Sequence, residues 1–114
     1  MIKTMAIAYR KEVLTREEFN KYWLETHGPL AARLIPQVRR YVQNHCVEVP
    51  GVVYEGDGIV EMWYDSVGDW QKSMEAIRAS QELMKDGANF AVMKPGGLWV
   101  VEEHVIVDSI SHQK

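Results

Sequence analysis

The sequence predicts an α+β domain of ferredoxin-like βαββαβ order: a four-stranded antiparallel sheet with helices on one face. Three observations lead there. Two helical apolar patterns, each opened by a capping residue, separate stretches of strand-like alternation. Gly- and Pro-bearing turns fall between the elements. The strands are apolar on both faces, which suits a sheet covered on both sides. A chain of 114 residues, 46% apolar and 25% charged, has room for one core and not for two.

Taken in order, residues 2–10 alternate weakly and are rich in Ile, Met, Ala and Tyr, as a first strand requires. Thr15 is placed to cap a helix, Glu18 three residues later to complete a capping box, and Leu14 and Phe19 to staple it. The apolar stripe runs on through Tyr22, Trp23, Leu30 and Leu34. Gly28-Pro29 interrupts it, and a proline without an N–H predicts a kink or a restart there. Residues 38–49 and 58–65 read as the second and third strands, joined by a loop marked by Pro50-Gly51 and Gly56-Asp57-Gly58. A second helix starts near Ser66, with Asp69 three residues on and Trp70, Met74 and Ile77 along one face. It breaks near Ser80 and resumes to Asp86-Gly87, where the glycine is expected to act as a C-terminal cap. Pro95-Gly96-Gly97 then turns the chain into a last strand over residues 98–107. The domain is expected over residues 1–108, with a tail at 109–114.

The two-sided strands also predict a homodimer. Ile59 and Trp63 point one way and Val60, Met62 and Tyr64 the other; Trp99, Val101, Val105 and Val107 oppose Leu98, Val100 and Ile106. Helices cover one face only, and a second copy of the sheet is the simplest cover for the other. A larger, partly mixed sheet within a monomer is the alternative.

Composition limits the partners. Net charge is −3 and Arg39-Arg40 is the only tight basic pair, so no nucleic acid is expected. No apolar run approaches the ~20 residues needed to cross a bilayer, so no membrane is expected. The chain enters a strand pattern directly after Met1, without a signal peptide, and a lone Cys46 offers no internal disulfide and no zinc-thiolate cluster. A cytoplasmic location is the expectation.

Three residues stand out for chemistry. His27 lies four residues after Trp23, on the stripe expected to face the sheet, where the helix breaks; its ring titrates near neutrality. It serves either as an acid or base or as a core imidazole bonded to a carbonyl freed by the break. His45 shares a strand face with Tyr41 and Gln43, a polar stripe in an apolar strand. Glu61 sits between Ile59 and Trp63, where a half-buried carboxylate needs a partner or a raised pKa. A structural ion pair produces the same pattern. His104, after Glu102 and Glu103, fits a solvated strand end, and Cys46 fits packing rather than nucleophilic attack. His27, His45, His104 and Glu61 contain no pair at the helical spacing of a zinc motif, so no metal is expected.

Together these segments resemble the EthD family, named for ethyl tert-butyl ether degradation, within the dimeric α+β barrel superfamily. The resemblance is carried by Arg10, Phe19, Tyr22-Trp23, His27-Gly28-Pro29-Leu30-Ala31, Arg40 to His45, Asp57 to Trp63, Asp86, Asn89-Phe90 and Glu103-His104. Asp86-Gly87 departs from the Asp-Glu pair that many relatives look to carry. The resemblance implies a homodimer with a pocket in each subunit between helices and sheet, faced or supported by His27, His45 and Glu61. It leaves the reaction open among cofactor-free oxygenation of aromatics, polyketide cyclisation or dehydration, lactone isomerisation and haem handling.

The expected activity is thus that of a small-molecule enzyme working without a cofactor, either a monooxygenase-type oxidoreductase or a proton-transfer cyclase, dehydratase or isomerase. Its substrate would be phenolic, lactone or polyketide-like. His27 would be the acid or base, His45 and Tyr41 with Gln43 would hydrogen-bond the substrate oxygens, and Trp23 and Trp63 would form flat walls. The alternatives are an accessory protein that holds a metabolite without turnover, as the founding EthD protein looks to be, and a haem-binding protein with His27 as ligand.

Overall fold

The computed structural model describes residues 1–110. The elements run β1 (Ile2–Arg10), α1 (Arg16–Tyr22), a π-helical turn (Trp23–His27), α2 (Gly28–Leu34), β2 (Arg40–His45), β3 (Gly58–Tyr64), α3 (Val67–Ala79), α4 (Gln81–Phe90), β4 (Ala91–Val92) and β5 (Leu98–Val101). The antiparallel sheet has the order β2-β3-β1-β4, with β5 also pairing β1. This is the expected βαββαβ path with its last strand in two pieces. Ala91 and Val92 pair with Arg10 and Tyr9, and after a turn through Gly96 and Gly97 residues 98–101 pair with Lys3 to Ala6. The strand expected to reach residue 107 ends at Val101. Beyond it, Glu103 is drawn onto Lys3 and Trp63 rather than into a ladder, and Val105, Ile106 and Val107 are exposed.

The first helix opens as its sequence requires. Glu18 N–H donates to Thr15 Oγ1 and Thr15 N–H to Glu18 Oε1, closing both halves of the box, and Leu14 packs beside Phe19. The interruption at Gly28-Pro29 is neither a break nor a sharp restart. Trp23–His27 forms one widened turn in which Gly28 N–H reaches back five residues to the Trp23 carbonyl. A wider turn absorbs the residue that cannot donate, so helical dihedrals continue into α2.

Ser66 and Ser80 cap α3 and α4 by accepting from Asp69 N–H and Leu83 N–H. Gly87 is not the cap that the sequence suggested. It sits inside α4, which continues to Phe90, because Phe90 belongs to the core and holds the last turn in place.

Two apolar clusters lie between the helices and one face of the sheet. Phe19, Trp23 and Phe90 pack over Ala8 and Val60. Ala31, Ile35 and Leu83 pack over Tyr41 and Met62. Strand alternation therefore puts Tyr41, Gln43, His45, Gly58, Val60 and Met62 on the helix-covered face. Lys3, Met5, Val42, Ile59, Glu61, Trp63 and Trp99 lie on the outer face. The first loop is tied down by Asp57, a buried carboxylate that accepts from Arg10 Nε at 3.2 Å, Arg16 Nη2 at 3.2 Å and the Arg10 backbone at 3.0 Å. Among the described residues no helix is long and apolar enough to cross a membrane.

Candidate active site: a histidine cluster and an edge-strand cleft

The π turn decides where His27 goes. In a regular helix it would follow Trp23 toward the sheet; the widened turn rotates it toward α4 instead. There its Nδ1 lies 2.8 Å from Asp86 Oδ2, and its ring lies 4.7 Å from the Phe90 ring. The same carboxylate accepts from Tyr22 Oη at 2.6 Å, and Asn89 Nδ2 donates to that phenol oxygen at 3.1 Å. Tyr22 and His27 are five residues apart, and the π turn lets both reach one acceptor. Because a carboxylate only accepts, Nδ1 carries a proton, and Nε2 has no hydrogen-bond partner among the described residues. The bond to Asp86 pushes the Tyr22 pKa up, which keeps that phenol protonated as a donor.

His45 belongs to a second group on the edge strand β2. Its ring stacks on the Trp23 indole at 4.7 Å, nearly parallel at 9°. Its Nε2 lies 2.8 Å from Gln43 Oε1, and Gln43 Nε2 donates to the Trp23 carbonyl at 2.8 Å and to Tyr41 Oη at 3.1 Å. Burial pushes the His45 pKa down, so the ring is neutral near pH 7. Burial raises that of Tyr41, partly offset by hydrogen bonds from Gln43 and Trp23. An open cleft of about 570 Å³ lies here, with Leu24, Gly28, Pro29 and Ala32 on its helix side and Tyr41, Gln43 and His45 on its strand side.

Two glycines make this packing possible. A Cβ on Gly58 would lie 2.6 Å from both the Trp23 indole and the Asn44 carbonyl oxygen. A Cβ on Gly28 would lie 2.7 Å from Gln43 Nε2 and 3.0 Å from the Trp23 carbonyl oxygen. All four distances are shorter than ordinary contact, so the indole and the amide reach their places only because these positions carry no side chain.

A family model for the EthD domain matches residues 11–94. The chain belongs to the EthD family. Among solved structures it is similar to an EthD-family protein from Bacillus halodurans, with 24% identity, a TM-score of 0.62, and coverage of 91% of this chain and 99% of that one. An EthD-like protein from Ralstonia eutropha shares 22% identity over 94% of this chain and 93% of its own, with a TM-score of 0.66. HapK from Hahella chejuensis has the same fold at 11% identity, with a TM-score of 0.64 over 97% of this chain and all of its own. No curated protein matches the chain.

Within this EthD domain the residues singled out by sequence separate into three places. Tyr41, Gln43 and His45 come together at the cleft, with the buried Trp23 stacked on His45. His27 is joined to them through Trp23, which packs with Phe90, but it is not part of the cleft wall. Glu61 and Trp63 are on the outer face, so the expected grouping of Glu61 with the histidines and of Trp63 with Trp23 is corrected. Register is the reason: Val42, not Gln43, stands opposite Glu61, and Arg40 opposite Trp63. Glu61 bonds Lys3 Nζ at 2.5 Å and accepts from Asn44 Nδ2 at 2.9 Å. Burial pushes its pKa up, but the Lys3 and Asn44 bonds outweigh this and leave it below the usual carboxylate range. Trp63 is flanked by Lys3 and Arg40, and its Nε1–H donates to Glu103.

Sequence reasoning gave Asp86 and Asn89 no role at the site, although Tyr22, Asp86 and Asn89 complete the His27 group. A usable signal was present, since Asp86, Asn89 and Phe90 fall on one face of α4 at i, i+3, i+4.

Proposed function

We propose that this EthD-family protein is a homodimeric enzyme that moves a proton at a small, largely apolar, oxygenated molecule, without a cofactor. The observation that carries the reading is the Asp86–His27 pair, in which a carboxylate orients the imidazole through Nδ1 and leaves Nε2 without a partner among the described residues. This is the arrangement a general base needs before it takes a proton and a general acid needs to return it. Phe90 flanks the ring with apolar surface, and Tyr22 stacks on Phe90. Taking a proton from a phenol, or from carbon beside a carbonyl, gives a phenolate or enolate. Such an anion leads to isomerisation or dehydration, or reacts with oxygen in a monooxygenase-type step in which the substrate itself supplies the electrons, a phenol plus O2 giving a quinone plus water. His45, Tyr41 and Gln43 are held at the cleft for substrate oxygens, and the reading requires the substrate to extend from there to His27 Nε2, which is not on the cleft wall. Glu61 and Trp63 have no part in this chemistry; their place is the interface between sheets of a dimer.

The dimer rests on the outer sheet face, where Met5, Val42, Ile59 and Trp99 form an apolar surface and Trp99 is 51% exposed. The test of the activity is a thermal-shift screen of phenols, lactones and quinones, followed by turnover assays with and without oxygen. Replacing His27 by Ala should cut turnover by about 10²–10⁴. A loss of less than tenfold removes His27 from the role.

One observation favours a second reading, an accessory protein that holds its ligand without turning it over. The cleft wall contains His45 but not His27. Tight binding with no turnover at any oxygen tension, unchanged in the His27→Ala variant, would select it.

A further inference from the structure

The Trp23 carbonyl oxygen can only accept hydrogen bonds, and that one constraint propagates along β2. The carbonyl accepts from Gln43 Nε2, which fixes which end of the amide faces the helix. The second proton on that nitrogen goes to Tyr41 Oη, so the phenol oxygen is already an acceptor and its own proton remains to be donated elsewhere. At the other end of the amide, Gln43 Oε1 is an acceptor, so the His45 nitrogen facing it, Nε2, must carry the proton. A neutral imidazole protonated at Nε2 has its lone pair at Nδ1, which has no partner among the described residues. Among the side chains on the strand side of the cleft, the Tyr41 hydroxyl is therefore left to donate and His45 Nδ1 to accept.

The remainder of the wall narrows the ligand further. Among the described residues no Lys, Arg, Asp or Glu lines the cleft, so none of them compensates a carboxylate, phosphate or ammonium there. Leu24, Pro29 and Ala32 present hydrocarbon opposite the polar strand. Burial holds the His45 ring in its neutral form, and the parallel Trp23 indole holds its orientation. We infer that this cleft selects an uncharged molecule bearing both a hydroxyl and a carbonyl group, the hydroxyl donating to His45 Nδ1 and the carbonyl accepting from the Tyr41 hydroxyl. Gln43 is the positioning residue that sets both polarities. The inference rests on the reading of the cleft as a small-molecule site.

The test is heteronuclear NMR of the full chain, with histidine nitrogens and the Tyr41 region followed as reporters. In the free protein His45 should show the Nε2-protonated tautomer, with Nδ1 bare. On titration, 4-hydroxyacetophenone should shift the cleft signals. Its methyl ether, which has lost the hydroxyl donor, and 4-ethylphenol, which has lost the carbonyl, should each bind roughly two- to tenfold more weakly, the worth of one neutral hydrogen bond. 4-Hydroxybenzoate, which has the same ring but a charge, should bind more weakly still. In Tyr41→Phe the advantage of the ketone over 4-ethylphenol should vanish, and in Gln43→Leu the tautomer preference of His45 should be lost. An Nδ1-protonated His45 in the wild type, or equal binding of the ketone, 4-ethylphenol and the benzoate, overturns the inference and leaves the small-molecule reading standing. Absence of any cleft response to these compounds and to a wider set of phenols, lactones and quinones overturns the small-molecule reading itself. If either variant fails to fold, the wild-type tautomer and the order of the four ligands still decide.

Discussion

Asp86 Oδ2 lies 2.8 Å from His27 Nδ1, although the two residues are 59 positions apart in the chain and sit on different helices. The same carboxylate accepts from Tyr22 at 2.6 Å, so it satisfies two half-buried donors at once. Asp86→Ala should therefore destabilise the fold by about 1–3 kcal/mol, the usual effect of leaving buried donors without an acceptor. Chemical denaturation measures this. Asp86→Asn should be milder for stability but should disturb the His27 tautomer, because an amide can present a donor where the carboxylate only accepts. Nitrogen NMR of His27 reads that change, and an unaltered Nδ1-protonated ring in Asp86→Asn would argue against the pairing as what fixes it.

Two glycines should respond in opposite directions to the same substitution. Gly58→Ala forces a methyl to 2.6 Å from the Trp23 indole and from the Asn44 backbone oxygen, which has little freedom to retreat. It should cost about 1–3 kcal/mol, as overpacking does, and should unstack His45 from Trp23. Gly87 lies within α4, and a methyl added there would meet no heavy atom within 4 Å. Gly87→Ala should stabilise by about 0.5–1 kcal/mol, the helix-propensity gain. Thermal and denaturant unfolding of both variants checks the pair.

The proposed homodimer makes a prediction at Trp99. Its ring is half exposed on the outer sheet face, opposite Met5 across the ladder. Trp99→Asp would place an uncompensated charge in an interface between two sheets, so sedimentation at micromolar concentration should show a shift from dimer to monomer. A wild type that sediments as a monomer at every accessible concentration would remove the dimer. The circular dichroism of Trp99→Asp should remain that of the folded chain, because the side chain packs outside both core clusters.

Much of this architecture was legible in the sequence, and the rest failed for identifiable reasons. The Thr15–Glu18 box, the helix start at Ser66, the break at Ser80 and the third-strand start at Gly58 are local, set by residues within a turn of one another, whereas the second strand is shorter at both ends than the 38–49 expected. The shared face of Tyr41, Gln43 and His45 was legible because period-two alternation needs no partner strand. Which strand-three residues share that face was not, because it depends on register between strands, and the register puts Glu61 and Trp63 on the other side. His27 was displaced by one widened turn, whose cause, Pro29, was visible while its effect on direction was not. Asp86 depends on contact between α4 and the first helix, a long-range pairing that no local pattern specifies.

Acid should weaken the fold in two separable steps. Burial depresses the folded-state pKa of His45, so its contribution is present above the unfolded value of about 6.5 and is lost as pH falls through the depressed folded value. Glu61 is also depressed: burial raises its pKa, and Lys3 and Asn44 more than reverse this. Its contribution is present above the unfolded value of about 4.3 and disappears as pH falls below it through the folded one. Glu18 and Glu103 shift in the same direction, so the informative quantity is the difference between wild type and variant. Denaturant unfolding followed from about pH 7.5 downward should show His45→Gln flattening the first part of the decline and Glu61→Gln the more acidic part. The His45 step should also weaken ligand binding at the cleft, because protonation turns Nδ1 from an acceptor into a donor. Binding of 4-hydroxyacetophenone should therefore weaken with pH in parallel with the His45 titration and be unaffected by Glu61→Gln, which lies on the far side of the sheet.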